Sequence, residues 1–377
     1  MDFSEVNKRK YRRKAMRRRR EGIQAALILF VAIALIFTAL KVSDTFREHR
    51  IDEAIEQAKD SAEETAVSVQ ASVNLSAPLH SAYYILLRLP QESDGFEGMG
   101  SWTDLPSRSG DMQEKPYLHN QILMEKNPAE RIYPASMTKI LAAITVLENI
   151  SDPDKTITLV DGDFRYYYAD GATIAGYRAG DRVSLTDLLY GLMLPSGSEC
   201  ASALAKETAG DADAFVALMN AKAAEIGMTS SHFTNPVGLH SEENYSTVSD
   251  IALLLDYALR NRVFSDIFTS PRHTAAPSAA HPNGLEMKNN IFPEPEAEGE
   301  AQTSGAAVGA EADTGAVLGG KTGFVDESGQ CLASLLSKGG VRFVLVTAAA
   351  MPEDSRRQTL HVDDMRTVLG AIKVEQL

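Results

Sequence analysis

The chain has 377 residues, of which 44% are hydrophobic and 23% are charged, and its formal net charge is −14 at pH 7. This composition is that of a globular protein and excludes a chain that is disordered throughout. The two cysteines, Cys200 and Cys331, lie far apart and lack the spacing of a metal site. We expect no metal and no cofactor. We interpret the cysteines as two free thiols, with a disulfide outside the membrane as the alternative.

The first residues are strongly basic and precede an apolar run. Residues 1–20 hold ten Lys or Arg, and residues 23–40 are apolar at all but two positions. A helix of that length covers about 27 Å, close to the ~30 Å hydrocarbon core of a bilayer. We therefore predict a cytoplasmic basic arm over 1–21 and a transmembrane anchor over 22–41, with every later residue on the outer side.

This N-terminus has two other interpretations. A cleavable signal peptide usually has a shorter apolar region, about 7–15 residues, followed by a small-x-small site, which Ala39-Leu40-Lys41 does not provide. A nucleic-acid-binding tail would leave the apolar run unexplained. We expect a lipid bilayer as partner through residues 23–40, and no nucleic acid.

The rest of the chain divides by composition into a stalk and a globular domain. Residues 42–79 are rich in Glu, Ala, Gln and Lys and predict a helical stalk or linker, after which we expect one globular domain over 80–377. Within that domain, residues 293–317 are rich in Pro, Glu, Ala, Gly and Thr without apolar periodicity. This stretch predicts a low-complexity surface loop.

Apolar patterns inside the globular domain predict strands at both ends and helices between them. We expect a strand over 82–89 paired with one over 121–125, and a hairpin of strands 331–337 and 341–349 turning at Lys338-Gly339-Gly340. The predicted helices cover 136–149, 186–194, 199–208, 212–227 after Asp211, and 249–260 from Ser249. This order indicates an α+β fold, in which an antiparallel sheet packs beside a helical insertion and leaves one cleft.

Three short motifs carry groups that could perform chemistry. In Pro134-Ala135-Ser136-Met137-Thr138-Lys139 a serine begins an apolar helix and a lysine follows on the same helix face. A lysine whose pKa is depressed can activate a serine hydroxyl as a nucleophile. Alone, such a pair is more often an N-cap serine beside a solvated lysine.

The other two motifs supply polar groups from separate parts of the chain. Pro195-Ser196-Gly197-Ser198 predicts a turn between two helices that presents the Ser196 hydroxyl, although an ordinary helix-to-helix turn has the same composition. Residues 319–324, GGKTGF, precede the hairpin. We interpret them as a Gly-rich strand beside which a substrate backbone can lie, and not as a phosphate-binding loop.

In this order, Ser-x-x-Lys, Ser-Gly-x and Lys-Thr-Gly resemble the active-site set of penicillin-binding proteins and serine β-lactamases. The sequence blocks around these motifs narrow the resemblance to one family, the low-molecular-mass penicillin-binding proteins that are serine-type D-alanyl-D-alanine carboxypeptidases. The resemblance covers roughly residues 80–360. The blocks that carry it are LTDLLYGLMLPSG, FVALMNAKAAEIGM, HFTNPVGLH, YSTVSDIALL and HPNGLEMKNN. The resemblance implies a β-lactamase/transpeptidase-like fold, with helices on both faces of the sheet and an all-helical lobe.

The resemblance also implies residue roles and partners. Ser136 would form the acyl-enzyme, Lys139 would take its proton, and Ser196 would pass a proton to the leaving group. Lys321 and Thr322, next to Gly323, would bind the substrate carboxylate, and the amides of Ser136 and Phe324 would form the oxyanion hole. The implied substrate is a peptidoglycan stem peptide ending in D-Ala-D-Ala, and β-lactams would be covalent inhibitors.

One motif position departs from the family. Ser198 stands where relatives usually have Asn, and a hydroxyl lacks the paired donor and acceptor of an amide, so its contribution to substrate binding is in question. A catalytically weak, membrane-tethered penicillin-binding scaffold is therefore one alternative. A β-lactamase is another, but we find no counterpart of its deacylating Glu between the second and third motifs.

Overall fold

The computed structural model describes residues 69–90, 121–166, 169, 172–292, 315–352 and 359–376, which lie in one compact unit, Ser68–Leu377. The strands in these residues are β1 (Val69–Val73), β2 (Ser81–Arg88), β3 (Gln121–Lys126), β4 (Thr156–Thr158), β5 (Arg182–Ser184), β6 (Arg272–Thr274), β7 (Glu286–Lys288), β8 (Ala316–Val325), β9 (Gly329–Lys338), β10 (Val341–Ala350) and β11 (Ile372–Gln376). The α-helices are α1 (Thr138–Asn149), α2 (Leu185–Met193), α3 (Ser198–Ala209), α4 (Ala212–Ile226), α5 (Val248–Leu259), α6 (Arg262–Thr269) and α7 (Leu360–Ala371).

A five-stranded antiparallel sheet organises the fold, with strand order β3-β2-β10-β9-β8. Strands from the two ends of the domain meet in this sheet, since β2 lies between β3 and β10, as the α+β prediction required. The predicted pairing of 82–89 with 121–125 is confirmed, since Ile85 pairs with Glu125. The predicted hairpin is also confirmed, since Val341 pairs with Lys338 across the Gly339-Gly340 turn.

Successive side chains of the central strands point to opposite faces of the sheet and enter two different hydrophobic cores. Ile85 and Val346 belong to the core that includes Ile251 of α5, whereas Leu86 and Leu345 pack with residues of α7. Each fully buried aliphatic side chain contributes about 1.5–3 kcal/mol by leaving water. Helices therefore cover both faces of the sheet, as expected, and the larger core continues into α1 to α4.

Side-chain caps fix where several helices begin. Asp211 accepts a hydrogen bond from the amide of Ala214 and caps α4, which confirms the predicted start of that helix. The helix predicted from Ser249 begins one residue earlier, because Thr247 is its cap and accepts from the amide of Asp250. Ser184 caps α2 in the same manner, through the amide of Asp187.

Two predicted boundaries require correction, and two helices were missed. Residues 69–73, placed in the helical stalk 42–79, form β1 and pair with β11, so the folded unit begins before residue 80. Residues 316–317, placed in the loop 293–317, are the start of β8. Helices α6 and α7 were not predicted. Residues 293–314 of the loop lie outside the described residues.

Two further predictions concern the membrane and the cysteines. No helix in the described ranges is long and apolar enough to cross a bilayer, and the predicted span over 23–40 lies outside those ranges. Cys200 and Cys331 are both buried free thiols, which agrees with the first of the two interpretations.

Candidate active site

The nucleophile candidate lies in a tight turn at the start of α1. Residues Ala135–Met137 form a 3-10 turn that runs directly into the helix, and Ala135 has a positive φ of 47°. A non-glycine residue in this region is strained and persists only where the surroundings impose it. Here the surroundings include two glycines that pack directly against the turn, since a Cβ atom on Gly238 or Gly323 would lie within 3.0 Å of its backbone atoms.

Lys139 projects from the first turn of α1 towards Ser136. Its side chain is 1% exposed, and its Nζ atom donates to Oγ of Ser136 at 3.0 Å and to the carbonyl of Val237 at 2.7 Å. Burial lowers the pKa of Lys139 from 10.5 to about 7, although Glu199 and Cys200 oppose this shift. A substantial fraction of the amine is therefore neutral near pH 7 and can accept a proton.

The carbonyl partner of Lys139 comes from the HFTNPVGLH block, which carries part of the family resemblance but was given no role in the site. The side-chain oxygen of Asn235 accepts from the amides of Gly238 at 2.7 Å and Leu239 at 3.0 Å, which closes residues 235–239 into a turn. This turn presents the Val237 carbonyl to the amine. The Asn-Pro-x-Gly composition is a turn signal, so the loop could have been identified, but its contact with Lys139 could not.

The second motif forms the turn between α2 and α3. Ser196 has a positive φ of 69°, and its carbonyl accepts from Oγ1 of Thr173 at 2.6 Å. Gly197 is required by close packing, because a Cβ atom there would lie 2.9 Å from the carbonyl oxygen of Gly191. The Ser196 hydroxyl is buried without a hydrogen-bond partner among the described residues, and it lines the cleft.

Ser198 occupies a different environment from the one expected. We predicted a turn position, but Ser198 is the first residue of α3, is 1% exposed, and does not line the cleft. Its amide donates to the carbonyl of Thr173 at 2.8 Å, and its hydroxyl has no partner among the described residues. The structure therefore places Ser198 behind the cleft wall that Ser196 and Thr173 form.

Glu199, the next residue, is a buried carboxyl group that the sequence analysis missed. Its Oε1 atom accepts from the amides of Ala175 at 2.7 Å and Gly176 at 2.9 Å, which attaches the 172–176 segment to α3. Burial raises the pKa of Glu199. In its charged form this carboxylate is the strongest of the groups that favour the ammonium form of Lys139.

The third motif lies within β8, the edge strand of the sheet, next to the nucleophile turn. Lys321 is 1% exposed and donates to the carbonyl of Thr322 at 3.0 Å. Burial, reinforced by the positive charge of Lys139, lowers the pKa of Lys321 well below its usual value. Gly315, Gly320, Lys321 and Thr322 do have the spacing of a phosphate-binding loop, but their continuous strand conformation from Ala316 excludes one.

These elements border a cleft of about 880 Å³. Five of the predicted site residues line it: Ser136, Ser196, Thr322, Gly323 and Phe324. Lys139, Ser198 and Lys321 lie behind its surface. The cleft also extends past Phe324 to residues that the sequence analysis did not identify, including Asp326, Gln330, Met351 and His361.

The chain is similar in sequence to proteins of one known family. The family profile described as D-alanyl-D-alanine carboxypeptidase matches residues 117–351. D-alanyl-D-alanine carboxypeptidase DacF of Bacillus subtilis (strain 168) is 24% identical over 248 residues, 65% of this chain and 58% of the relative. D-alanyl-D-alanine carboxypeptidase DacB2 of Mycobacterium tuberculosis (strain ATCC 25618 / H37Rv) is 32% identical over 216 residues, 56% of this chain and 65% of the relative.

A solved structure shows the same fold. The Streptomyces K15 DD-transpeptidase matches with a TM-score of 0.59 and 22% sequence identity, over 78% of this chain and 97% of that chain. The present chain spans less than two thirds of the length of the two carboxypeptidases named above. The family resemblance predicted from the three motifs is confirmed by the profile match, and the chain belongs to the D-alanyl-D-alanine carboxypeptidase family.

Proposed function

We propose that this protein is a serine-type D-alanyl-D-alanine carboxypeptidase that removes the terminal D-alanine from peptidoglycan stem peptides. The observation that carries the proposal is the contact between Lys139 Nζ and Ser136 Oγ at 3.0 Å, in a site where burial brings the lysine pKa to about 7. A hydroxyl needs a neighbouring base at neutral pH, and a neutral amine at this distance is such a base.

In the acylation step, Ser136 Oγ attacks the carbonyl carbon of the penultimate D-alanine while its proton moves to the neutral amine of Lys139. The Val237 carbonyl accepts a hydrogen bond from this amine at 2.7 Å, which orients the nitrogen lone pair of Lys139 towards the serine. The carbonyl oxygen becomes an oxyanion, for which the amides of Ser136 and Phe324 are the proposed donors. The peptide C–N bond then breaks.

The leaving D-alanine needs a proton on its nitrogen, and Ser196 is the proposed relay from Lys139. Its buried hydroxyl has no partner among the described residues and is therefore free to donate to a substrate atom. Water subsequently attacks the ester carbonyl, and cleavage of the Ser136 ester releases the shortened peptide. A β-lactam would acylate the same serine, and the ester that it forms would be hydrolysed slowly.

We propose that Lys321 and Thr322 bind the C-terminal carboxylate of the substrate. Burial disfavours the charged form of Lys321 and lowers its pKa, and an incoming carboxylate would stabilise the ammonium form. The Thr322 hydroxyl lies in the cleft and can donate a second hydrogen bond. This pair would select peptides that have a free C-terminus.

We also propose that the domain works on the outer side of the cell membrane, attached through residues 23–40. The basic arm that precedes this apolar segment supports that orientation. Protease added to wall-stripped cells should digest the domain, whereas full protection would contradict the topology.

The enzymatic proposal is tested by D-alanine release from Nα,Nε-diacetyl-L-lysyl-D-alanyl-D-alanine. Ser136→Ala should lower release by about a thousandfold or more, while Ser249→Ala, a serine substitution in α5, should leave it unchanged. Labelling by a fluorescent penicillin without any D-alanine release by the wild type would identify the protein as a penicillin-binding scaffold instead.

A further inference from the structure

The HPNGLEMKNN block, residues 281–290, has no role in the chemistry described so far. It contains β7, which pairs antiparallel with β6 to form a hairpin. The base of this hairpin lies beside the third motif, since a Cβ atom on Gly320 would lie 2.9 Å from Cδ1 of Ile291, the residue after the block. The tip of the hairpin, residues 275–285, reaches the 172–176 segment, which lines part of the cleft.

A buried carboxylate fixes the tip of this hairpin. Asp181, whose side chain is 1% exposed, accepts from Oγ of Ser278 at 2.6 Å and from the amide of Ala280 at 3.3 Å. The same Ser278 oxygen accepts from the amide of His281 at 3.2 Å. These hydrogen bonds hold the backbone that carries His281, so its side chain starts from a defined place.

His281 binds the 172–176 segment from that position. Its Nε2 atom lies 3.0 Å from the carbonyl oxygen of Gly176 and 3.8 Å from Oδ2 of Asp181. Both oxygens are hydrogen-bond acceptors, so Nε2 carries a hydrogen and donates to the carbonyl. The imidazole also packs edge-on against the ring of Tyr177, with centroids 6.4 Å apart. The His281 side chain is therefore held by the same part of the chain that it supports.

The 172–176 segment determines the backbone conformation around Ser196. Thr173 donates through Oγ1 to the carbonyl of Ser196 at 2.6 Å, and its own carbonyl accepts from the amide of Ser198 at 2.8 Å. These two bonds enclose the residue whose hydroxyl is the proposed proton relay and whose φ is 69°. A non-glycine residue keeps such a φ only where its surroundings impose it. A shift of Thr173 would therefore move the Ser196 hydroxyl.

Two side chains hold the far end of this segment. Glu199 accepts from the amides of Ala175 and Gly176, but it lies in α3, which begins directly after the Ser196 turn. It moves with that turn and cannot fix the segment relative to the rest of the site. His281 belongs to the hairpin whose base packs against β8, so its hydrogen bond connects the second motif to the third.

We propose, on the basis of the function proposed above, that His281 is a positioning residue for Ser196. It donates to Gly176 and fixes the 172–176 segment, and that segment fixes the hydroxyl that would pass a proton to the leaving D-alanine. His281 itself lies outside the cleft lining and touches no reacting atom. Its loss should slow acylation through the geometry of Ser196.

The test measures kcat/KM for D-alanine release from Nα,Nε-diacetyl-L-lysyl-D-alanyl-D-alanine. His281→Met keeps a long side chain but removes the donor, and it should lower kcat/KM about ten- to hundredfold, because a displaced catalytic group is that costly. His281→Gln has an amide N–H that can reach the same carbonyl, and it should restore kcat/KM to within about threefold of the wild type. Unchanged activity in His281→Met, or no rescue by His281→Gln, would overturn the proposal.

His273→Met is the matched control on the same hairpin. His273 also pairs with a carboxylate, since its Nε2 atom lies 2.6 Å from Oδ1 of Asp187, but this partner belongs to α2 and not to the 172–176 segment. Both methionine variants should unfold at a lower temperature than the wild type, whereas His273→Met should keep kcat/KM within about threefold. Equal losses of activity in the two variants would mean that the hairpin as a whole, and not the bond to Gly176, supports the site.

A double-mutant cycle tests whether His281 acts through Ser196. In a Ser196→Ala background the hydroxyl to be positioned is gone, so His281→Met should lower kcat/KM by about threefold or less. A purely structural role would lower kcat/KM by the same factor in both backgrounds. An undiminished loss in Ser196→Ala would therefore contradict the positioning role.

Failure of the proposed function can be separated from failure of this inference. If the wild type releases no D-alanine, the carboxypeptidase proposal fails. The same variants are then compared by the rate at which a fluorescent penicillin labels them, because the β-lactam nitrogen also takes up a proton when Ser136 opens the ring. A loss in His281→Met that disappears in Ser196→Ala supports the inference, and equal labelling rates in the wild type and His281→Met contradict it.

Discussion

A Cβ atom on Gly238 would lie 1.9 Å from the carbonyl oxygen of Ala135, the residue before the nucleophile candidate. Gly238 has a positive φ of 84°, and its amide donates to Asn235, so its backbone cannot easily move away. The loop that carries the Val237 carbonyl and the turn that carries Ser136 therefore fix each other's position.

We predict that Gly238→Ala lowers the rate of acylation by penicillin about a hundredfold, because the added methyl group must displace the Ser136 turn. The matched control is Gly210→Ala, since Gly210 has a similar φ of 88° but no atom within 4 Å of an added Cβ. That control should lose about 1 kcal/mol of stability and retain its acylation rate. Equal acylation rates in the two variants would show that the contact does not position the serine.

The acylation rate should rise with pH and reach half its plateau near pH 7. Burial lowers the pKa of Lys139 to about 7, and below that value the amine is protonated and cannot accept the proton of Ser136. Stopped-flow measurement of penicillin acylation between about pH 5 and pH 9 gives the profile. A rate that is independent of pH over this range would argue against Lys139 as the base.

Glu199→Gln should move the midpoint of that profile to lower pH. The negative charge of Glu199 stabilises the ammonium form of Lys139 and so raises its pKa, and removing the charge lowers it further. The glutamine oxygen can still accept from the amides of Ala175 and Gly176. Glu207→Gln, on the same helix but paired with Lys155, is the control and should leave the midpoint in place. An upward shift in Glu199→Gln would contradict this electrostatic argument.

Ser198→Asn should leave the rate of acylation by D-Ala-D-Ala peptides within about tenfold of the wild-type rate, because Ser198 lies behind the cleft wall and a neutral hydrogen bond contributes only about 0.5–1.5 kcal/mol. Because Ser198 is buried in α3 and not in an exposed turn, the larger side chain should also lower stability, by about 1–3 kcal/mol. Thermal unfolding and acylation kinetics are measured on the same protein. A hundredfold loss of acylation with unchanged stability would show that the serine has its own function.

The sequence predicted those parts of the site that depend on local pattern. Ser136 and Lys139 are three residues apart on a helix, and their contact follows from helix geometry. The sequence could not show that Val237 contacts Lys139, because that contact joins residues 98 positions apart. Ser198 was placed in a turn because Gly197 precedes it, whereas α3 begins at Ser198 itself.

The same distinction applies to the sheet. The 341–349 strand is a long β-branched and apolar run, which is a strong signal, and it was predicted. β1 and β11 are short, and both mix polar with apolar residues, so neither stands out from a stalk or a tail. Their pairing becomes visible only when the two ends of the domain are brought together.

Peptide mapping by mass spectrometry, after brief reaction with penicillin, tests whether Ser136 forms the acyl-enzyme with Lys139 as its base. We predict one covalent adduct, located on Ser136, that is absent in Ser136→Ala and forms far more slowly in Lys139→Arg, whose guanidinium stays protonated. An adduct on another residue, or an undiminished rate of adduct formation in Lys139→Arg, would contradict the claim.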